Sequence, residues 1–211
     1  MNKNNLLPVS KEGLAYVGCS LLLFLIFSIF DLEVLELLSF LVIIGFIFIF
    51  RNPERVTPFF HENSVVSPVD GTVVAIEELS DSTYAYKVEV NSNYLDVGVL
   101  RVPFTSKLKS IVLNKGARLS KNSKLSKKIN ENAEIIFKDG NGNNVKVTHM
   151  LKQSILGIKL DAIKSQKFMQ GSRYGVMLNG VTTIYLPQNI RINIAVGDDV
   201  SGCETLLGYF S

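Results

Sequence analysis

Two uncharged apolar runs constrain what this chain can fold into more than any other feature. Residues 14–30 are seventeen residues without a charge, and residues 34–50 are seventeen more, interrupted only by Glu36. At 1.5 Å per residue each covers about 26 Å as a helix, close to the roughly 30 Å hydrocarbon core of a bilayer. Three residues, Asp31-Leu32-Glu33, join the runs and carry no base, whereas Lys3 and Lys11 precede them and Arg51 and Arg55 follow. The pattern predicts a two-helix transmembrane hairpin over residues 1–50, with helices about 14–30 and 34–50. The basic flanks put both of its ends on the cytoplasmic side of the inner membrane. A hairpin buried in a helical domain is the competing reading, but it needs an apolar partner surface that the remaining sequence does not offer. A cleaved signal peptide fits poorly, because IFSIFDLE lacks a small-residue cleavage site and a second apolar run follows.

The remainder differs in kind. The first fifty residues carry two bases against four acids; with a total formal charge of +3, residues 51–211 are left with +5. Fifteen Gly, six Pro and two Cys exclude collagen-like, disordered and disulfide-scaffold chains. Cys19 lies in the first apolar run and Cys203 near the carboxyl end, so they are not expected to pair, in keeping with a reducing compartment. From Arg51 onward the periodicity is that of short strands: Gly71–Ile76, Tyr84–Val90, Ala133–Lys138, Asn144–His149, Ser154–Leu160, Tyr174–Leu178, Val181–Leu186 and Ile192–Val196. DGNGN between the third and fourth of these is a hairpin turn signal. The prediction is a mostly β domain over residues 51–211, barrel- or sandwich-like, with the domain on the cytoplasmic face.

One basic stretch stands apart. Lys107, Lys109, Lys115, Arg118, Lys121, Lys124, Lys127 and Lys128 fall between 107 and 128 with no acid among them. A solvated loop or short helix accounts for it, and so does contact with an anionic leaflet, where each base is worth about 1 kcal/mol. Nucleic acid is not expected, since no aromatic residue is interleaved to stack on bases. No metal site is expected either: His61 and His149 are the only histidines, and neither has ligand-spaced companions.

Several phrases, taken in order, resemble the phosphatidylserine decarboxylase family, in its short branch with an amino-terminal membrane hairpin. Phe46–Pro58 (FIFIFRNPERVTP) resembles the family's junction into its catalytic domain, and Ser67–Gly71 (SPVDG) its SPxDG phrase. Asp96–Pro103 (DVGVLRVP) is similar to DVHVNRxP, Asn130–Asn132 to NERN, and Gly171–Gly175 (GSRYG) to GxRFG. Tyr185–Pro187 repeats YLP, and Val196–Glu204 is similar to VGxxVxxGE. Biotinyl and lipoyl carriers share the turn-strand phrases around Val65–Ile76 and Ala195–Leu207, but no Met-Lys tip for modification stands between them.

The resemblance implies a self-made cofactor. In that family a Ser hydroxyl attacks the preceding Gly carbonyl, and elimination leaves an amino-terminal pyruvoyl group. A His acts as base and an Asp orients it. The pyruvoyl carbonyl then forms an imine with the serine headgroup and takes up electrons as CO₂ leaves, turning phosphatidylserine into phosphatidylethanolamine. Carried across residue by residue, the Asp is Asp70, while the His position holds Gly98. The cleavage pair falls on Gly180-Val181 counting forward from Arg173-Tyr174-Gly175, and on Asn179-Gly180 counting back from Tyr185-Leu186-Pro187, since the segment is one residue shorter than the family's. Neither count finds a hydroxyl. Thr182, off register, and Ser172, in the variable slot of GxRFG, are the alternative nucleophiles, and His149 is the alternative base or a partly exposed strand histidine.

The expectation is therefore a decarboxylase-related membrane protein of phospholipid synthesis that forms no pyruvoyl group of its own. The rival is a non-catalytic protein that binds membrane phospholipid or assists an active decarboxylase or lipid synthase.

Overall fold

The computed structural model describes residues 7–58, 63–80, 83–120 and 123–211, and the chain divides into two compact units, 1–54 and 55–211. Lys3, His61 and Lys121 lie outside the described residues.

The first unit is a helical hairpin, α1 (Leu14–Ile29) and α2 (Glu33–Ile49). Aromatic side chains close it: the Tyr16 ring lies 5.6 Å from Phe46 and 5.1 Å from Phe50, and Phe24 lies 6.2 Å from Phe40. Ser20 and Ser39 are buried, and their hydroxyls donate to Val17 O and Glu36 O one turn back, so neither is left unsatisfied. Beyond the helices, Ser10 N–H donates to Phe50 O and Asn52 N–H to Pro8 O, tying the two ends together.

Here the transmembrane expectation is corrected. Phe30 and Phe50 lie outside their helices as caps, and Asp31 turns the chain at φ 51°. The helices therefore have 16 and 17 residues, about 24 and 26 Å. No helix among the described residues is long and apolar enough to cross a membrane. Apolar composition ran past the point where the turn forces the helix to stop.

The second unit is mostly β, as its short-strand periodicity predicts. In chain order it contains β1 (Ser64–Val66), β2 (Gly71–Glu78), β3 (Tyr86–Ser92), β4 (Val99–Arg101) and β5 (Ser106–Asn114), then the single-turn α3 (Ser126–Ile129). There follow β6 (Asn132–Lys138), β7 (Asn144–Leu151), β8 (Lys159–Leu160), β9 (Lys167–Phe168) and β10 (Arg173–Val176). The last are β11 (Gly180–Leu186), β12 (Ile190–Ile192), β13 (Asp199–Val200) and β14 (Leu206–Phe210). Eight strands form one sheet in the order β13-β2-β3-β11-β7-β6-β5-β9, and β1-β14-β12 and β4-β10-β8 form two smaller sheets. The large sheet is open, because β13 and β9 are its two edges, so the barrel alternative does not hold.

Alternation explains the register. Val88 and Val90 of β3, Ile135 and Phe137 of β6, Val145 and Val147 of β7, and Ile184 and Leu186 of β11 are fully buried in one core. Each such side chain contributes about 1.5–3 kcal/mol by leaving water. At the DGNGN turn, Asp139 Oδ1 accepts the Asn141 and Asn143 amides at 2.9 and 2.8 Å, and Gly142 takes φ 94°, where a side chain is disfavoured. Two expected strands shrink: Ser154–Leu160 forms only β8, and the strand placed at Ile192–Val196 ends at Ile192. The first half of the basic stretch is neither loop nor helix but β5, one of the longest strands, with Leu108 inward and Lys107 and Lys109 outward.

Candidate active site

Asp70 ends the turn that starts β2. Its carboxylate is held by Arg55, with Nη1 on Oδ1 and Nη2 2.7 Å from Oδ2, and Oδ1 also accepts the Gly202 amide at 2.8 Å. Hydrogen bonding to Asp70 pushes the Arg55 guanidinium above its ordinary value, outweighing the opposing effect of burial. Arg55, read from sequence as a charge flanking a membrane span, is thus the partner of the expected triad Asp. The two residues sit in separate phrases of the resemblance, and only the fold brings them together.

The remaining triad positions gather at the same end of the large sheet. Ser92 Oγ donates to Asp70 O at 2.6 Å, and Ser92 is the register partner of Gly180 on β11. Val181 is flanked by Asn91 on β3 and Met150 on β7. Asn91 Oδ1 in turn accepts Lys152 Nζ at 2.6 Å. At Gly180 an added Cβ would lie 2.7 Å from Met150 O, so a larger residue is barred there. Gly98 accepts the Met177 amide at 2.7 Å. A Cβ at Gly98 would lie 2.9 Å from Leu178 Cδ2 and 3.1 Å from Met177 O, against a buried leucine. The expected base position therefore lacks an imidazole, and any side chain there would have to displace the end of Leu178.

Side chains alternate along β11, so Thr182 turns to the face opposite Val181, into the core. Its hydroxyl is 2.8 Å from His149 Nδ1, and His149 Nε2 is 2.6 Å from the Tyr174 hydroxyl. All three residues are fully buried. The reading of His149 as a partly exposed strand histidine is corrected: it is the register partner of Thr182, on the inward face of β7. Burial lowers its pKa to about 3 and raises that of Tyr174. A neutral imidazole between two hydroxyls, one nitrogen donating and the other accepting, satisfies every partner. It is a poor general base, because both ring nitrogens meet hydroxyls and no carboxylate among the described residues stands behind it to stabilise the imidazolium.

Ser172 lies elsewhere, in the turn before β10, its amide bonded to Met169 O and its carbonyl accepting the Val102 amide. Of the basic stretch, Lys115 Nζ sits 2.7 Å and Arg118 Nε 3.7 Å from the buried Glu131. Glu131 also accepts the Ile158 amide at 3.1 Å. That anchor was not foreseen, although Glu131 is the centre of the NEN phrase. Lys124, Lys127 and Lys128 are exposed on and before α3. Cys19 and Cys203 are both free thiols.

With these positions placed, comparison with known sequences is decisive. The sequence model of the phosphatidylserine decarboxylase family matches residues 43–208. The chain belongs to that family. Among curated relatives, the phosphatidylserine decarboxylase proenzyme of Desulfotalea psychrophila is 27% identical, covering 95% of this chain and 96% of its own length. The proenzyme of Geobacter metallireducens is 27% identical over 98% of both chains, and that of Ehrlichia ruminantium 30% identical over 77% of this chain and 74% of its own. Phosphatidylserine decarboxylases take their pyruvoyl group from a Ser of their own backbone. At the positions the resemblance implies, Gly180 and Val181 carry no hydroxyl, Asp70 is paired with Arg55, and Gly98 has no side chain.

Proposed function

We propose that this protein acts in phospholipid metabolism, at the cytoplasmic side of the inner membrane, as a phosphatidylserine decarboxylase relative that forms no pyruvoyl group and releases no CO₂ on its own. The observation that carries the proposal is that neither count for the cleavage pair, Gly180-Val181 or Asn179-Gly180, finds a hydroxyl, and that Val181 lies on a strand paired on both sides. A valine side chain has no lone pair to attack the carbonyl before it and nothing to eliminate. The absence of a side chain at Gly98, where the resemblance implies the base, supports the same reading. The rival role favoured by these observations is accessory: a family fold that retains its scaffold and works beside an active decarboxylase or lipid synthase.

The test combines mass and activity. Purified protein should give one species near 23.4 kDa and no CO₂ from phosphatidylserine. A two-fragment chain whose smaller piece begins at Thr182 or Ser172, blocked by a keto group, would overturn the proposal. Val181→Ser alone should remain uncut, because no base reaches the new hydroxyl. Without a base, general-base assistance of about 10²- to 10⁴-fold is missing.

A further inference from the structure

Three lysines from three neighbouring strands stand side by side on the outer face of the large sheet. Lys107 of β5 is the register partner of Lys138 on β6 and of Lys167 on β9. All three are exposed, as is Lys109 two residues along β5. Like charges directly opposite one another across strands destabilise a sheet, and no ion pair is recorded for any of the four among the described residues. Asp139 is the one acid lining the depression of about 240 Å³ formed by Lys107, Leu108, Lys109, Lys138 and Ser165. Its carboxylate is already taken by the Asn141 and Asn143 amides and by Asn143 Nδ2.

We propose that this lysine row is a docking edge for an anionic phospholipid surface. Strands lie about 4.8 Å apart, so the row extends roughly 10 Å, the scale of adjacent headgroups and more than one small ion needs. The loop that carries β9 adds a second feature. Ile163 and Met169, 76% and 75% exposed, bracket Lys164 and Lys167. Apolar side chains beside lysines suit the boundary between headgroups and acyl chains. Nucleic acid has no use for exposed aliphatics, and Phe168, the aromatic of this loop, is buried and unavailable for stacking on bases. The edge uses Lys107 and Lys109 of the basic stretch and adds Lys138 and Lys167 from outside it. Lys115 and Arg118 are spent on Glu131. This inference does not depend on whether the chain is self-processing.

The experiment is flotation of the full chain with phosphatidylcholine vesicles, with and without phosphatidylglycerol, at low and at physiological salt. The measured quantity is the preference for anionic over neutral vesicles, which removes any contribution from the apolar hairpin. Each lysine lost should reduce it about fivefold, and Lys107→Gln/Lys138→Gln/Lys167→Gln roughly a hundredfold. The preference should also shrink as salt rises. Lys124→Gln/Lys127→Gln/Lys128→Gln, on and before α3, should keep it. Ile163→Ser/Met169→Ser should weaken anionic binding while leaving its salt dependence unchanged. Equal loss in the two lysine triples, an unchanged preference in the first, or displacement of the vesicles by single-stranded RNA would each overturn the proposal. Intact mass and CO₂ release, which test the decarboxylase reading, are unaffected by any of these outcomes.

Discussion

Asp70 and His149 are both buried and both titratable, yet the fold treats them in opposite ways. Arg55 meets the Asp70 carboxylate with two parallel hydrogen bonds and the Gly202 amide with a third. His149 has only the hydroxyls of Thr182 and Tyr174 within reach, and burial holds it neutral. A working Ser-type nucleophile needs both halves joined, with a carboxylate behind an imidazole behind a hydroxyl. Here the carboxylate backs a guanidinium, and the imidazole backs a phenol. The parts of such an assembly are present in one domain without their connection, which makes the difference between them testable by substitution.

The largest effect is expected at the charged pair. The Arg55 and Asp70 side chains are each 12% exposed, so Asp70→Ala leaves a nearly buried guanidinium with only the half-exposed Glu204, 3.5 Å from Nε, and leaves the Gly202 amide unpaired. The expected loss is about 3–5 kcal/mol of stability, typical of breaking a buried pair from one side. Urea denaturation at neutral pH measures it. Arg55→Ala/Asp70→Ala should recover part of the loss, since no uncompensated charge remains. A cost below about 1 kcal/mol for the single change would mean that water replaces the carboxylate, as at an exposed pair.

Much of this comparison was legible in the sequence, but not its pairing. Colinear phrases gave the family, and alternation placed β2, β3, β6, β7 and β11 closely. Arg55 was misread because a base next to an apolar run looks like a membrane flank, and its carboxylate lies fifteen residues away across a turn. His149 was misread because its polarity was weighed above its place in the alternation: it shares a face with Val145 and Val147, opposite Asn144, Lys146 and Thr148. The two helices formed close to their expected bounds, but the spanning expectation failed: hydropathy measures apolar length, whereas spanning requires helical length, and the turn at Asp31, in the left-handed region, ends the first helix at Ile29. Strand β5 was hidden by its lysines, whose charge suggested solvent although Leu108 and Ile111 between them face the core.

A second, smaller effect separates the two clusters by pH. The folded-state pKa of His149, about 3, is depressed below the unfolded value of about 6.5. The unfolded chain therefore binds this proton first as pH falls. Its contribution to stability is fully present above about 6.5 and is lost from there toward 3, at about 1.4 kcal/mol per pH unit. By pH 4 that is about 3 kcal/mol. Other groups of the chain also take up protons as pH falls, so the informative quantity is the difference from His149→Gln. Gln keeps a donor and an acceptor in the core and cannot be protonated, so its stability should fall less steeply between pH 6.5 and 4. Parallel curves would show that His149 is solvated in the folded chain.

The smallest change tests whether the Thr182 hydroxyl is structural or reactive. Thr182→Val preserves shape and β-branching in the middle of β11 and removes only the oxygen 2.8 Å from His149 Nδ1. A structural role predicts a loss of about 1–2 kcal/mol, the cost of leaving one buried nitrogen without a partner, and an unchanged intact mass. Thr182→Ser should be nearly neutral if the hydroxyl only fills a hydrogen bond, because its oxygen can occupy the same place. A reactive role predicts something else: Ser, less hindered than Thr, would yield two fragments where the native chain yields one or cuts slowly. Neutral His149 argues for the first outcome. An imidazole of pKa about 3 has little affinity for the hydroxyl proton, and no carboxylate is recorded at its far nitrogen to offset the charge it would acquire. The two variants together therefore read chemistry and packing separately, with mass reporting the one and denaturation the other.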